Sequence, residues 1–132
     1  MNSFEQFQQL ALPVGVIALL MHMQVLVLDV LGLRAKHLPG TPVEANHGSP
    51  IFRASRTVAN TNETIAVFIL ALMFCVLAQA TPFHTVYAAW GFVVSRILYA
   101  ICYYSNLKLL RSVVFGISLL FLFALLVIGM FW

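Results

Sequence analysis

An arginine, an amide and a carboxylate stand at the head of an apolar stretch in the segment RTVANTNETIAVFILALMFCVLA, residues 56 to 78. Arg56, Asn60 and Glu63 are spaced i, i+4 and i+7, so a helix would place them on one face. Ionisable groups inside a membrane are costly and usually face a partner or a cavity. The spacing therefore predicts a polar face whose side chains bind either one another or a ligand.

A second polar face follows in the segment SRILYAICYYSNLKLLRSV, residues 95 to 113. Arg96, Tyr99 and Tyr103 are spaced i, i+3 and i+7, and Arg111 with Ser112 opens the next apolar stretch. A phenol inside a membrane needs a hydrogen-bond partner. We therefore expect this face to meet the first one in a single polar layer.

The predicted layer has more positive than negative charge. Its arginines are Arg34, at the end of the first apolar stretch, Arg56, Arg96 and Arg111, and its carboxylate is Glu63. One interpretation is a Glu63–Arg96 pair that only fixes the packing of two helices. The other is a binding site, because surplus guanidinium groups bind carboxylates through paired hydrogen bonds.

The composition requires a membrane around the chain. Of its 132 residues, 62% are hydrophobic and 8% are charged, whereas a soluble domain has about a quarter charged residues. The net charge of +3 comes from Lys and Arg at helix ends and loops, so it indicates orientation and no nucleic-acid partner. His37, His47 and His84 lack metal-ligand spacing to Cys or carboxylates, so no metal site is expected.

Four apolar segments are each long enough to cross a hydrocarbon core of about 30 Å, at about residues 10–33, 57–79, 82–104 and 112–132. The N-terminus lacks a positive region, which predicts a retained first helix rather than a signal peptide. The sequence thus predicts one all-α integral membrane domain, residues 1–132, folded as an antiparallel bundle of four transmembrane helices.

Lys and Arg border the first and third loops, while the second turn, QATPF, and both termini carry none. The positive-inside rule therefore predicts cytoplasmic first and third loops, with both termini away from the cytoplasm. The membrane expected for such a protein is the bacterial inner membrane or the endoplasmic reticulum.

The two polar segments resemble a known family. RTVANTNET is similar to the R-x-x-x-N-x-x-E signature of the MAPEG proteins, membrane-associated proteins in eicosanoid and glutathione metabolism that include the microsomal glutathione transferases. SRILYAICYYSNLKLLRSV resembles that family's junction between the third and fourth helices. Four helices, a long first loop and about this chain length also agree with the family.

The resemblance implies a homotrimer that binds glutathione, as a cosubstrate, between adjacent protomers near the cytoplasmic face. The family's glutathione contacts fall here on Arg34, Arg56, Asn60, Glu63, Arg96, Tyr99 and Tyr103. Its thiol-activating group falls on Arg111 or Ser112. The chain departs from some members in having Phe115 in place of a tyrosine and Tyr99 in place of a histidine.

Three functions come into consideration for such a chain. The first is a glutathione transferase or peroxidase acting on lipophilic electrophiles that enter from the bilayer. The second is a non-catalytic lipid-binding or scaffold protein of the same fold. The third, a small multidrug transporter, is disfavoured because Glu63 lies among arginines that would hold it ionised and repel cations.

Overall fold

The computed structural model describes residues 5–131, which form one short 3₁₀ helix and four long α helices. The 3₁₀ helix, Glu5–Leu10, leads into α1. The long helices are α1 (Ala11–Arg34), α2 (Pro50–Leu77), α3 (Pro82–Tyr104) and α4 (Lys108–Phe131). Each is long and apolar enough to cross a membrane, and no strand occurs between residues 5 and 131. The prediction of an all-helical fold, with four helices long and apolar enough to span a membrane, is confirmed.

Two helices begin earlier than the sequence predicts. α2 begins at Pro50 instead of residue 57, because proline at a first helical position lacks only an N–H that would have no partner there. Glu63 therefore lies roughly 20 Å along the helix from Pro50, at 1.5 Å per residue. α4 begins at Lys108 instead of residue 112. The predicted end of the fourth helix, at position 132, lies outside the described residues.

The first three long helices end in the same kind of turn. Just after each helix, one residue takes a left-handed backbone conformation, namely Lys36 (φ 52), Gln79 (φ 55) and Asn106 (φ 59). The N–H of the following residue then bonds to a carbonyl five residues earlier, at 3.0, 2.9 and 2.8 Å respectively. These Schellman motifs satisfy carbonyls at the helix ends and turn the chain sharply. Short links can therefore join antiparallel neighbours at two of these ends.

The apolar core lies between α2, α3 and α4. Phe68 of α2 stacks on Phe92 of α3 with ring centroids 4.4 Å apart, and Leu125 of α4 is fully buried beside them. Cys75 and Cys102 are buried free thiols. By contrast, α1 buries only Pro13, Ile17 and Gln24 and presents most of its apolar surface outward.

Candidate functional site

Arg96 is the largest fully enclosed side chain in the described part of the protein, with an exposed fraction of 0%. Its Nη2 donates hydrogen bonds to Oδ1 of Asn60, at 2.8 Å, and to Oγ1 of Thr61, at 3.1 Å. Bonds from a charged donor are stronger than neutral ones. This arginine of α3 therefore fixes the packing of α3 against α2 at the depth of the polar layer.

Aromatic rings cover the rest of the Arg96 guanidinium. It lies 4.4 Å from the ring centroid of Tyr99 and 5.9 Å from that of Phe115, which are distances for cation–π attraction. Its Nε and Nη1 are enclosed and find no hydrogen-bond partner in the described protomer. A ligand therefore reaches this cation only if some of the side chains around it move.

The alternative pair between Glu63 and Arg96 does not form. Glu63 is exposed and makes no ion pair within residues 5–131, while Arg96 is bonded to the amide and hydroxyl groups of α2. The sequence pattern missed Thr61, because a threonine beside an apolar stretch reads as an ordinary helix residue. Two adjacent hydrogen-bond acceptors, Asn60 and Thr61, could have indicated that this part of α2 binds a buried arginine.

A row of alternating cations and rings leads from Arg96 toward the start of α4. The rings of Tyr99 and Tyr103 are 5.5 Å apart, and the guanidinium of Arg111 lies 4.4 Å from the ring centroid of Tyr103. Both tyrosines are buried, with exposed fractions of 5%. The row thus has one arginine at each end of the two phenol rings: Arg96, which is enclosed, and Arg111, which is half-buried.

His47, in the loop between α1 and α2, completes this end of the row. Its Nδ1 lies 3.3 Å from Nη1 of Arg111, and its ring packs edge-on against Phe52 with centroids 5.0 Å apart. Partial burial, and then the positive charges of Arg111, Lys108, Arg56 and Arg53, lower the pKa of His47. As a possible metal ligand this histidine has no suitable spacing to Cys or carboxylates, so the sequence did not connect it with Arg111.

The structure distributes the predicted site residues between two groups. It brings together Asn60, Arg96, Tyr99, Tyr103 and Arg111 in one connected set. The others, Arg34, Arg56, Glu63 and Ser112, are exposed.

The exposed members differ in their contacts. The hydroxyl of Ser112 donates to the carbonyl of Lys108 at 3.2 Å, so it is engaged within its own helix. Arg56 contributes to the positive field at His47. None of the arginines forms an ion pair with a carboxylate among the described residues. The site thus has a surplus of positive charge and suits an anionic ligand.

An apolar groove of about 750 Å³ runs between α3 and α4. Its walls include Trp90, Gly91, Leu98, Val114 and Phe121. Val114 follows Arg111 by three residues on the same helix, so the groove ends about one turn from that cation. The arrangement can hold a lipophilic molecule beside an anion-binding group.

Of three comparisons with known proteins, one gave a match. The model of the MAPEG family matches residues 2–131. Neither the curated proteins nor the solved structures gave a match. No group of three or more His, Cys, Asp or Glu within residues 5–131 is placed to hold a metal ion. Since the family match spans nearly the whole chain, the protein belongs to the MAPEG family.

Proposed function

We propose that this protein is a membrane-embedded glutathione transferase or peroxidase that acts on lipophilic electrophiles at the cytoplasmic face. Membership of the MAPEG family supports a role in glutathione-related or eicosanoid metabolism. One observation carries the proposal. Arg111 is held between the ring of Tyr103 and Nδ1 of His47, and it has no carboxylate partner in the described protomer.

The donor set suits glutathione. This tripeptide has two carboxylates, one ammonium group and one thiol, so it needs several cations and one anion. Arg34 and Arg56 are exposed and available to carboxylates, and Glu63 is exposed and available to the ammonium group. Arg96 is enclosed, so its part is to hold Asn60 in place and to add positive charge to the site.

The chemistry we propose begins with the glutathione thiol. A free thiol of this kind has a pKa of about 8.5, so little of it is nucleophilic at neutral pH. A guanidinium within hydrogen-bond range stabilises the thiolate, and each unit of lowering corresponds to about 1.4 kcal/mol of differential stabilisation. Arg111 supplies that guanidinium, because the hydroxyl of Ser112 is bonded to its own helix.

Two reactions follow from a stabilised thiolate. With an aryl halide, the sulfur forms a bond to the ring carbon and halide leaves with the bonding electrons. With a lipid hydroperoxide, the sulfur attacks the terminal peroxide oxygen, the O–O bond breaks, and the alkoxide leaves with the bonding electrons and takes up a proton to give the alcohol. The sulfur is now a sulfenic acid. The thiolate of a second glutathione attacks this sulfur to form the disulfide, and the S–O bond breaks to release water.

We also propose a homotrimer. Glu63 and Arg34 are charged, exposed and without an ion-pair partner in the described protomer, and α1 leaves most of its apolar surface uncovered. A neighbouring copy would cover this surface and bring further polar groups to the site. Native mass spectrometry in mild detergent should give a trimer, and a monomer that still binds glutathione would contradict a shared site.

A second candidate, a non-catalytic lipid-binding protein of the same fold, is favoured by the apolar groove between α3 and α4. One experiment separates it from the first. Glutathione binding to the purified full chain is measured by calorimetry, with S-methylglutathione as the control that cannot form a thiolate. Conjugation to a generic aryl halide is measured in parallel. Binding with thiolate absorbance and turnover supports the enzyme, binding without either supports the second candidate, and no binding contradicts the proposed function.

A further inference from the structure

Arg111 has a long side chain at the start of α4 that is free to extend into water unless something holds it. Two contacts hold it: the face of Tyr103, 4.4 Å away, and Nδ1 of His47, 3.3 Å from its Nη1. A guanidinium has only donors. Nδ1 of His47 therefore accepts this hydrogen bond, and the proton of the neutral imidazole lies on Nε2.

The imidazole that accepts this bond is itself firmly placed. Phe52 packs edge-on against it, and the ring of Tyr103 lies 6.1 Å away at a tilt. Nη1 of Arg53 donates to the backbone carbonyls of His47, at 2.8 Å, and Gly48, at 3.0 Å. The loop is thus fastened to α2 at the residue that touches Arg111.

The ionisable groups that face His47 come from three helices. They are Arg53 and Arg56 of α2, Tyr103 of α3, and Lys108 and Arg111 of α4. Partial burial lowers the pKa of His47 from its ordinary value of 6.5, and the four cations among these five groups lower it further. The acceptor is therefore neutral at pH 7. Protonation in acid would convert Nδ1 from a hydrogen-bond acceptor into a donor and would place a positively charged imidazole next to the Arg111 guanidinium.

We infer that His47 is a positioning residue: its neutral imidazole directs the Arg111 guanidinium toward the site, and its protonation releases that guanidinium. The inference rests on the proposed function, in which Arg111 stabilises the glutathione thiolate. His47 acts through Arg111 and needs no contact with the sulfur. Its loss should therefore lower turnover and the thiolate fraction more than it raises the KM for glutathione.

Two substitutions test the acceptor. In His47→Asn the amide oxygen stands at the branch position of Nδ1, accepts a hydrogen bond and does not titrate. His47→Ala has no acceptor. At pH 7.5 we expect His47→Ala to lower kcat and the thiolate fraction roughly fivefold, the factor that one net hydrogen bond provides, while His47→Asn stays near the parent. His37→Asn is the matched control, since the imidazole of that histidine, in the same loop, bonds only to Thr41 among the described residues.

The pH profile gives a readout that a purely structural role would not move. The ratio of the thiolate fraction in the parent to that in His47→Asn should be constant above pH 7 and fall below about pH 6.5. Titration of the thiol itself cancels in this ratio. A ratio that does not change with pH, or equal thiolate fractions in the parent and His47→Ala, would overturn the inference and leave glutathione chemistry in place.

A measurement without glutathione separates the two claims. Thermal unfolding of the ligand-free protein is followed from pH 7 to pH 5. The depressed pKa means that stability is present above the unfolded-state pKa and is lost as the pH falls toward the folded-state pKa. The parent should therefore lose more Tm than His47→Asn. An equal decrease in Tm for the parent and His47→Asn would contradict the contact between His47 and Arg111. Failure of the parent to bind glutathione would instead contradict the proposed function.

Discussion

Nη2 of Arg96, on α3, donates a 2.8 Å hydrogen bond to Oδ1 of Asn60, on α2, and the arginine side chain is fully enclosed by the protein. A buried guanidinium has no access to water, so its acceptors cannot be replaced by solvent. The pair therefore has a structural task at the depth where the predicted ligand site lies. This relationship changes what substitutions in the polar layer should do.

Asn60→Ala should lower the free energy of unfolding by about 2 kcal/mol, since it removes a hydrogen bond to a charged donor and leaves that donor buried. Denaturant unfolding in detergent micelles measures the effect. Asn62→Ala is the matched control, because Asn62 is an exposed amide on the same helix. Equal stability of the two variants would contradict the role assigned to the Arg96–Asn60 bond.

Glu63→Gln should leave the unfolding free energy of the protomer within about 0.5 kcal/mol of the parent, because Glu63 is exposed and forms no ion pair in the described protomer. Its glutathione affinity should nevertheless fall, since the proposed partner of the ammonium group is lost. Calorimetry and unfolding are measured on the same preparation. A large loss of protomer stability would show that Glu63 has a packing role instead.

Arg56→Ala should weaken glutathione binding with little effect on folding, because Arg56 is exposed and water can replace it. Titration at two salt concentrations provides the check. The affinity of the parent should fall more steeply with added salt than that of the variant, since a solvent-exposed cation is screened. Identical salt dependence would remove Arg56 from the binding site.

Arg111→Ala should lower turnover far more than Ser112→Ala and should reduce the thiolate absorbance of bound glutathione near neutral pH. The reason is that Arg111 brings a charge, whereas the hydroxyl of Ser112 donates to the carbonyl of Lys108. Steady-state kinetics and absorbance spectra of both variants decide the order. The reverse order would assign thiol activation to Ser112.

Gly91→Ala should destabilise the bundle by about 1–3 kcal/mol, because a Cβ there would overlap the ring of Phe121 on α4 and force it to move. Gly116→Ala supplies the control on α4, where a Cβ would meet no atom within 4 Å. That change should instead be neutral or stabilising by up to about 1 kcal/mol through helix propensity. Thermal unfolding of both variants in one detergent measures the difference.

The helical class of the fold could be predicted from the sequence, because runs of apolar residues must cross the membrane as helices. The start of α2 could not, since Pro50 marks a loop as often as a first helical turn. The ends of the first three helices could be predicted, since the predicted and observed ends differ by at most two residues. The type of turn could not be predicted, because the left-handed residues that follow these helices are Lys36, Gln79 and Asn106, and none of them is the glycine that usually signals such a turn.

The site shows a similar division. Helical spacing predicted that Asn60 and Glu63 share a face, but it could not say how far a neighbouring helix covers that face. In the structure Asn60 is buried against Arg96 and Glu63 is exposed. His47 lies outside every helix, so no periodic pattern could join it to Arg111. That contact depends on how the long loop folds back over the ends of α3 and α4.

The enclosure of Arg96 also has a consequence for biogenesis. An arginine at the centre of a helix entering lipid alone adds about 2.5–3.5 kcal/mol on insertion scales. Asn60 and Thr61, its acceptors, precede it in the chain and reach the translocon first. When the third helix reaches the translocon, the second helix, which carries the hydrogen-bond acceptors of Arg96, has already been synthesised. We therefore expect the third helix to enter the bilayer together with the second helix.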